Sequence, residues 1–184
     1  VGIINLTPDS FSDGGKFNDK EKALKQIKQL IEDGASVIDI GAESTRPHAS
    51  LITQKEEWQR LKQVLPEAIA LIHANNAQAS IDTRYAHTAL EAVKLGIDII
   101  NDVSALSDPA MLEVIQNSEA KIVLNHNLGI PSDPEVTISE QLDVINEVKN
   151  WASEKISYLV KNNVNRKKII FDIGIGFGKT PKQS

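Results

Sequence analysis

Carboxylates and carboxamides recur in this chain directly after short aliphatic runs. Asn5 follows residues 1–4, Asp39 and Glu43 frame the end of 36–40, and Asp82 follows 80–81. Asn101 and Asp102 follow 97–100, Asn125 and His126 follow 121–124, and Asp172 follows 169–171. A capping side chain on the next helix accounts for any one such residue. It does not account for polar residues at the end of six runs in succession. Acceptors and amides gathered in this way suit a polar ligand held by hydrogen bonds. Two connections add a second chemistry: 5–15 (Asn-Leu-Thr-Pro-Asp-Ser-Phe-Ser-Asp-Gly-Gly) and 41–47 (Gly-Ala-Glu-Ser-Thr-Arg-Pro). Hydroxyls, backbone N–H groups and Arg46 suit an anion, and Asn5, Asp9 and Asp13 could hold Mg²⁺ directly or through water. A third stretch, 172–179, carries Gly174, Gly176 and Gly178 at alternate positions. Its spacing is neither that of a phosphate-binding loop nor that of a dinucleotide fingerprint. Glycines there would let the backbone approach a flat ligand closely.

The elements that must position these residues alternate. Runs 1–4, 36–40, 80–81, 97–100, 121–124 and 169–171 read as strands. Between them lie apolar residues at helical spacing. Ala23, Leu24, Ile27, Leu30 and Ile31 form one face, stopped by Gly34. Trp58, Leu61, Leu65, Ala68, Ile69 and Ile72 mark a second helix, and Ala89, Leu90 and Val93 a third that ends at Gly96. Residues 109–118 predict a fourth, and Leu142, Ile145, Val148, Ala152, Ile156 and Leu159 a long fifth. Six strands separated by five helices pair in parallel, because each helix returns the chain to the same edge. An open doubly wound sheet and a (β/α)₈ barrel both fit, and both bind ligands at the C-terminal ends of strands. A complete barrel takes about 250 residues. At that pace 1–184 is one α/β domain of about six β/α units with two units missing, a chain cut short.

Composition removes several alternatives. A net charge of −5 offers no global field for nucleic acid or an anionic membrane. The absence of cysteine excludes disulfides, thiolate catalysis and thiolate metal sites, and fits a cytoplasmic protein. No apolar run approaches the roughly 18 residues of a membrane span. The histidines, His48, His73, His87 and His126, fall at no metal-ligand spacing, which argues against a zinc hydrolase. No serine sits in a nucleophile elbow.

The loop sequences carry more. Residues 5–15 and Glu43-Ser44-Thr45-Arg46-Pro47 resemble the two signatures of the dihydropteroate synthase family. Ser80-Ile81-Asp82-Thr83, Ile100-Asn101-Asp102-Val103 and the Asp172…Gly174-Ile175-Gly176-Phe177-Gly178-Lys179 stretch match it in the same order. The resemblance implies a TIM barrel and a Mg²⁺-dependent transferase of folate biosynthesis. That enzyme joins p-aminobenzoate to 6-hydroxymethyl-7,8-dihydropterin pyrophosphate and releases pyrophosphate. It further implies that Asp82, Asn101 and Asp172 bind the pterin with Val103 lining the pocket. Asn5 would ligate Mg²⁺ with Asp13 in support, and Phe11, Thr45, Arg46, Pro47, Phe177 and Lys179 would form the p-aminobenzoate pocket. A homodimer and fusion to an upstream pterin pyrophosphokinase occur within what the resemblance allows.

The chain departs from the family in three places. Asn125 stands where a Met is expected beside His126, which makes that wall more polar, and Ile173 replaces the Pro expected after Asp172. The Lys motif after strand seven and the Arg-x-His motif after strand eight are not in the sequence. A pterin-binding methyltransferase on a similar barrel is the alternative, opposed by the two long loops. A non-catalytic barrel is opposed by Asn5, Asp82, Asn101 and Asp172 standing together.

Overall fold

Each aliphatic run becomes a strand and each amphipathic stretch a helix in the computed structural model, which describes residues 1–7, 16–44, 51–133 and 135–184. The elements are β1 (Gly2–Asn5), α1 (Lys16–Glu32), β2 (Val37–Gly41), α2 (Gln54–Leu61), α3 (Leu65–Ala74) and β3 (Gln78–Asp82). They continue with α4 (Ala86–Lys94), β4 (Ile99–Asp102), α5 (Met111–Gln116), β5 (Lys121–Asn125), α6 (Val144–Lys161) and β6 (Ile169–Asp172).

The strands form one sheet in the order β1-β2-β3-β4-β5-β6, every neighbouring pair parallel. A doubly wound sheet would reverse its order at a switch point. An unbroken order is the wall of a barrel, so the chain forms six consecutive strands of a (β/α)₈ architecture. No described helix is long and apolar enough to cross a membrane.

The period of two along each strand separates two environments. Ile4, Ile38, Ile40, Ala79, Ile81, Ile100, Ile122 and Leu124 are fully buried against the helices, where Ile27, Leu61, Leu65, Ile72, Met111 and Ile115 meet them. Each such aliphatic side chain contributes about 1.5–3 kcal/mol by leaving water. The alternate positions face the barrel interior. Register aligns Ile3, Asp39, Ser80, Ile99 and Lys121 on one rung, and Asn5, Gly41, Asp82, Asn101, Val123 and Ile170 on the next.

Two expectations about elements change. The helix predicted through Trp58 and Ile72 is two helices, α2 and α3, separated by a turn at 62–64. Pro66 in the first turn of α3 explains the break, since proline has no N–H to continue a preceding helix. The long fifth helix begins later than its apolar pattern suggests. Asp143 caps α6, its carboxylate accepting from the N–H groups of Ile145 (3.0 Å) and Asn146 (3.3 Å), so Leu142 lies outside. The strands also reach further than their aliphatic runs. Asn5, Asp82, Asn125 and Asp172 are the last residues of their strands.

Candidate active site

The C-terminal end of the barrel wall is built on Asp39, a carboxylate in mid-strand between two buried isoleucines. Ser80 Oγ donates to Asp39 Oδ1 at 2.5 Å, and Asn101 Nδ2 donates to Asp39 Oδ2 at 2.9 Å. Three adjacent strands are thereby cross-linked on their interior face. The contact fixes the rotation of the Asn101 carboxamide, so that its donor and acceptor are presented in one orientation.

Asp82 lies beside Asn101 on the next rung, with Gly41 on its other side. A Cβ placed on Gly41 would fall 3.1 Å from Asp82 Oδ2, so a larger residue there would press on the carboxyl. Burial pushes the Asp82 carboxyl well above the usual carboxylate range, and the neighbouring charges of Asp39, Glu57, Glu43 and Asp102 push it the same way. A carboxyl that retains its proton can donate as well as accept. Asn5, half-buried, ends β1 on the same rung.

Asp102 has another occupation. It is fully buried, and its oxygens accept from Ser104 N (2.9 Å), Ser104 Oγ (2.6 Å) and Leu106 N (2.7 Å). It shapes the connection after β4 and has little left for a ligand. Val103 beside it is buried, and its carbonyl accepts from Asn127 Nδ2 at 2.6 Å.

At the far side of the wall Asn125 and Asp172 are register partners. Asp172 is exposed, with Oδ1 accepting the Gly174 N–H at 2.8 Å and its second oxygen left for a ligand. Gly174 is obligatory on two grounds. Its φ is +66°, and a Cβ would lie 1.9 Å from the His126 carbonyl oxygen. With Ile173 in place of proline, the turn after β6 is held by this side-chain contact.

Lys179 is buried, and its ammonium donates to the carbonyls of Gly174 (3.0 Å) and Phe177 (3.1 Å) and to His126 Nδ1 (2.9 Å). Burial lowers the pKa of both Lys179 and His126, and the Lys179 charge lowers His126 further. A neutral imidazole with Nδ1 as acceptor satisfies the geometry. Its ring packs edge-on against Trp151 at 4.9 Å, and Trp151 packs on Phe171 at 5.4 Å. His126 is thus a structural seat for Lys179, and Lys179 braces the glycine-bearing turn.

The structure therefore brings Asn5, Asp82 and Asn101 to one rung, with Val103 and Asp172 at neighbouring strand ends and Phe177 and Lys179 in the last connection. Phe11, Asp13, Thr45, Arg46 and Pro47 lie outside the described residues. Among the described residues no three His, Asp or Glu side chains converge as a metal site. Asn5 supplies a single carboxamide oxygen. That suits Mg²⁺, which keeps several waters and takes one or two protein ligands together with substrate phosphate.

Sequence reasoning named Asp39, Ser80 and Glu43 without their partners, and it missed Arg84 and Glu57. The inward placement of Asp39 and Ser80 follows from their parity, since they interrupt the apolar alternation on the face opposite the core. The ion pair of Glu43 with Arg84, Nε to Oε2 at 2.6 Å, joins residues far apart in sequence and leaves no local signal. Glu57 gives the least warning. It is fully buried on α2, takes the Thr83 hydroxyl on Oε2 at 2.7 Å, and is pushed by burial to a pKa of about 7. Its other oxygen and the Thr88 hydroxyl are both buried without a partner of good geometry.

A barrel wall with hydrogen-bonding side chains ringed at its strand ends defines a β/α-barrel protein with polar groups gathered at its mouth. Across residues 1–184 the chain matches the family described as pterin binding enzyme, and it belongs to that family. It is 42% identical to the dihydropteroate synthase of Bacillus subtilis over 98% of this chain and 60% of that protein. It is 43% identical to a mitochondrial folate synthesis bifunctional protein of Pisum sativum over 97% of this chain and 35% of the relative. The chain thus spans about 60% of the Bacillus subtilis protein's length. The crystal structure of dihydropteroate synthase from Anaplasma phagocytophilum with bound 6-hydroxymethylpterin-monophosphate superimposes with a TM-score of 0.90. Sequence identity to it is 48%, covering 100% of this chain and 69% of that one. The Xanthomonas albilineans dihydropteroate synthase with 4-aminobenzoic acid gives a TM-score of 0.87 at 34% identity, covering 99% of this chain and 63% of that one.

Proposed function

We propose that this protein condenses 6-hydroxymethyl-7,8-dihydropterin pyrophosphate with p-aminobenzoate, giving 7,8-dihydropteroate and pyrophosphate. The observation that carries the reading is the rung of Asn5, Asp82 and Asn101, backed by the Asp39 cross-link, in a chain of the pterin-binding family. An aminopyrimidinone edge offers N–H donors beside ring acceptors. Asp82, which can hold a proton, and Asn101, whose carboxamide is fixed, meet both kinds of group, and the exposed oxygen of Asp172 meets an N–H. Val103 lines the apolar side.

In the reaction the bond from the pterin methylene to the pyrophosphate oxygen breaks and a bond to the arylamine nitrogen forms, with loss of an amine proton. The pterin ring tolerates cationic character at its methylene, so a weak nucleophile suffices. Asn5, with Asp13 in support, would hold Mg²⁺, which when bound offsets the charge of the departing pyrophosphate. Phe11, Thr45, Arg46, Pro47 and Phe177 would enclose the arylamine, and Lys179 would keep the Phe177 turn in shape. Enclosure matters because water would hydrolyse the same electrophile. The same reading is compatible with a cytoplasmic location and with a homodimer. It also accommodates fusion to a pterin pyrophosphokinase upstream, with bifunctional relatives as support.

The test is turnover by the complete protein. Stoichiometric pyrophosphate and dihydropteroate from the two substrates are expected. Methyl transfer to a corrinoid or thiol, with no pyrophosphate released, would replace this reading with that of a pterin-dependent methyltransferase.

A further inference from the structure

Adjacent glutamates in the first turn of α2 have different surroundings. Glu56 is exposed and completes the capping box with Thr53, the usual task of a carboxylate at a helix start. Glu57 turns inward and is fully buried. An apolar side chain would fill that position without the loss of hydration that a buried carboxyl suffers. Glu57 Oε2 accepts the Thr83 hydroxyl at 2.7 Å. Thr83, itself buried, directly follows Asp82, and its N–H donates to the Asn101 carbonyl at 3.1 Å. A single residue is thus joined to β3 through the chain and to β4 through a backbone bond, and its hydroxyl ties both strand ends to α2. The Thr83 oxygen also accepts the Tyr85 N–H at 3.1 Å, which leaves the hydroxyl proton directed at Glu57.

The charges around Glu57 come from the strands it packs beneath. Glu43 at the end of β2 opposes its ionisation, and Arg84 after β3 favours it. Those two are paired with each other, Nε to Oε2 at 2.6 Å, so their effects on Glu57 partly cancel. From α4 the facing group is the neutral Thr88 hydroxyl. That hydroxyl and Glu57 Oε1 are both buried without a partner of good geometry among the described residues. Burial raises the Glu57 carboxyl to a pKa of about 7. Asp82, next to Thr83, feels the result: the charge of Glu57 is among the influences that keep the proton on Asp82.

We propose that Glu57 is a positioning residue for the pterin half of the site: through the Thr83 hydroxyl it fixes the ends of β3 and β4, and so the placing and the charge of Asp82 beside Asn101. This rests on the pterin-binding part of the reading above and extends it to a helix residue outside every motif that suggested it. The physical basis is preorganisation, since two groups that must meet one ligand edge bind it more tightly when their separation is already set. Charge adds a second consequence. N–H donors facing Asp82 stabilise negative charge on it, and an ionised Glu57 opposes that charge. Glu57→Gln keeps an oxygen for the Thr83 hydroxyl and cannot ionise, so it separates the tie from the charge.

The experiment is calorimetry of the complete protein with a pterin analogue at about pH 6 and about pH 8, beside melting curves. Thr83→Val keeps the shape and deletes the hydroxyl, and it should raise the Kd by roughly three- to tenfold. Thr83→Ser restores the hydroxyl and should stay within about twofold of wild type. Glu57→Gln should match wild type at about pH 6 and bind roughly threefold more tightly than wild type at about pH 8. Ile72→Val in the remote core serves as the comparison for a variant of lowered Tm and should leave the Kd unchanged. A lowered Tm for Thr83→Val with an unchanged Kd would make the tie a matter of stability and overturn the proposal. Equal losses in Thr83→Ser and Thr83→Val, or one pH profile shared by wild type and Glu57→Gln, would overturn it as well. In all three cases wild type still binds the pterin analogue and the reading above stands, whereas a wild type without pterin affinity would overturn both.

Discussion

Asp82 lies against the backbone of Gly41, where an added Cβ would fall 3.1 Å from its Oδ2. The crowding is close enough to displace a carboxyl and too slight to prevent folding. Gly41→Ala is therefore expected to weaken binding of a pterin analogue by roughly three- to tenfold, the effect of one impaired hydrogen bond, while Tm changes little. Calorimetry paired with a melting curve checks this, and unchanged affinity would remove Asp82 from the pocket. Asp172 offers a complementary case. Its Oδ1 holds the Gly174 N–H, a task an asparagine oxygen can perform, while the other oxygen is available to a ligand. Asp172→Asn should thus keep stability and cost pterin binding about 1–3 kcal/mol, because an acceptor becomes a donor opposite a donor. If the variant melts earlier and binds normally, Asp172 serves only the turn.

Among the elements, α2 carries the least expected group. Glu57 has a pKa of about 7 when folded, against 4.5 for an unperturbed glutamate, because burial disfavours its charge. The native state therefore binds the proton more tightly than the unfolded chain. The associated stability is fully present below about pH 4.5 and is lost as pH rises through about 7. The size is on the order of 3 kcal/mol. Asp82 shifts in the same direction, so the diagnostic quantity is the difference between wild type and Glu57→Gln. Urea unfolding at about pH 5 and about pH 8 should show a steeper decline for wild type than for the variant, which keeps the Asp82 contribution. Parallel declines would mean that Glu57 titrates like a solvated side chain.

At the scale of the whole molecule, the described sheet has two lateral edges, β1 and β6, each paired on one side only. Near those edges large aliphatic groups stand open: Ile3 is 60% exposed, and Ile170, Ile173 and Ile175 are also exposed. A parallel edge with unpaired backbone groups beside apolar side chains is a template for association. Residues 1–184 on their own should self-associate as concentration rises, whereas a protein supplying the remaining strands should stay dispersed. Light scattering and chromatography decide the matter. A monomer with one sharp unfolding transition would show that these six strands suffice.

The order of elements, their parallel pairing and the polar strand ends were legible from local pattern, because period two, period 3.6 and helix stop signals are properties of neighbouring residues. The loop signatures in addition pointed to the family. The choice between a doubly wound sheet and a barrel lay in strand order, which no local pattern encodes. The roles of the acidic residues were equally hidden. Asp82 and Asp102 both close strands, yet one faces the mouth and the other is consumed by Ser104 and Leu106. Glu57 sits on a helix and is buried under the end of β3, and Glu43 finds its cation, Arg84, in the connection after β3. Such partnerships depend on register and on which elements close over one another. Tertiary packing fixes these long-range distances, and with them the desolvation and hydrogen bonding that decide what each carboxylate can do.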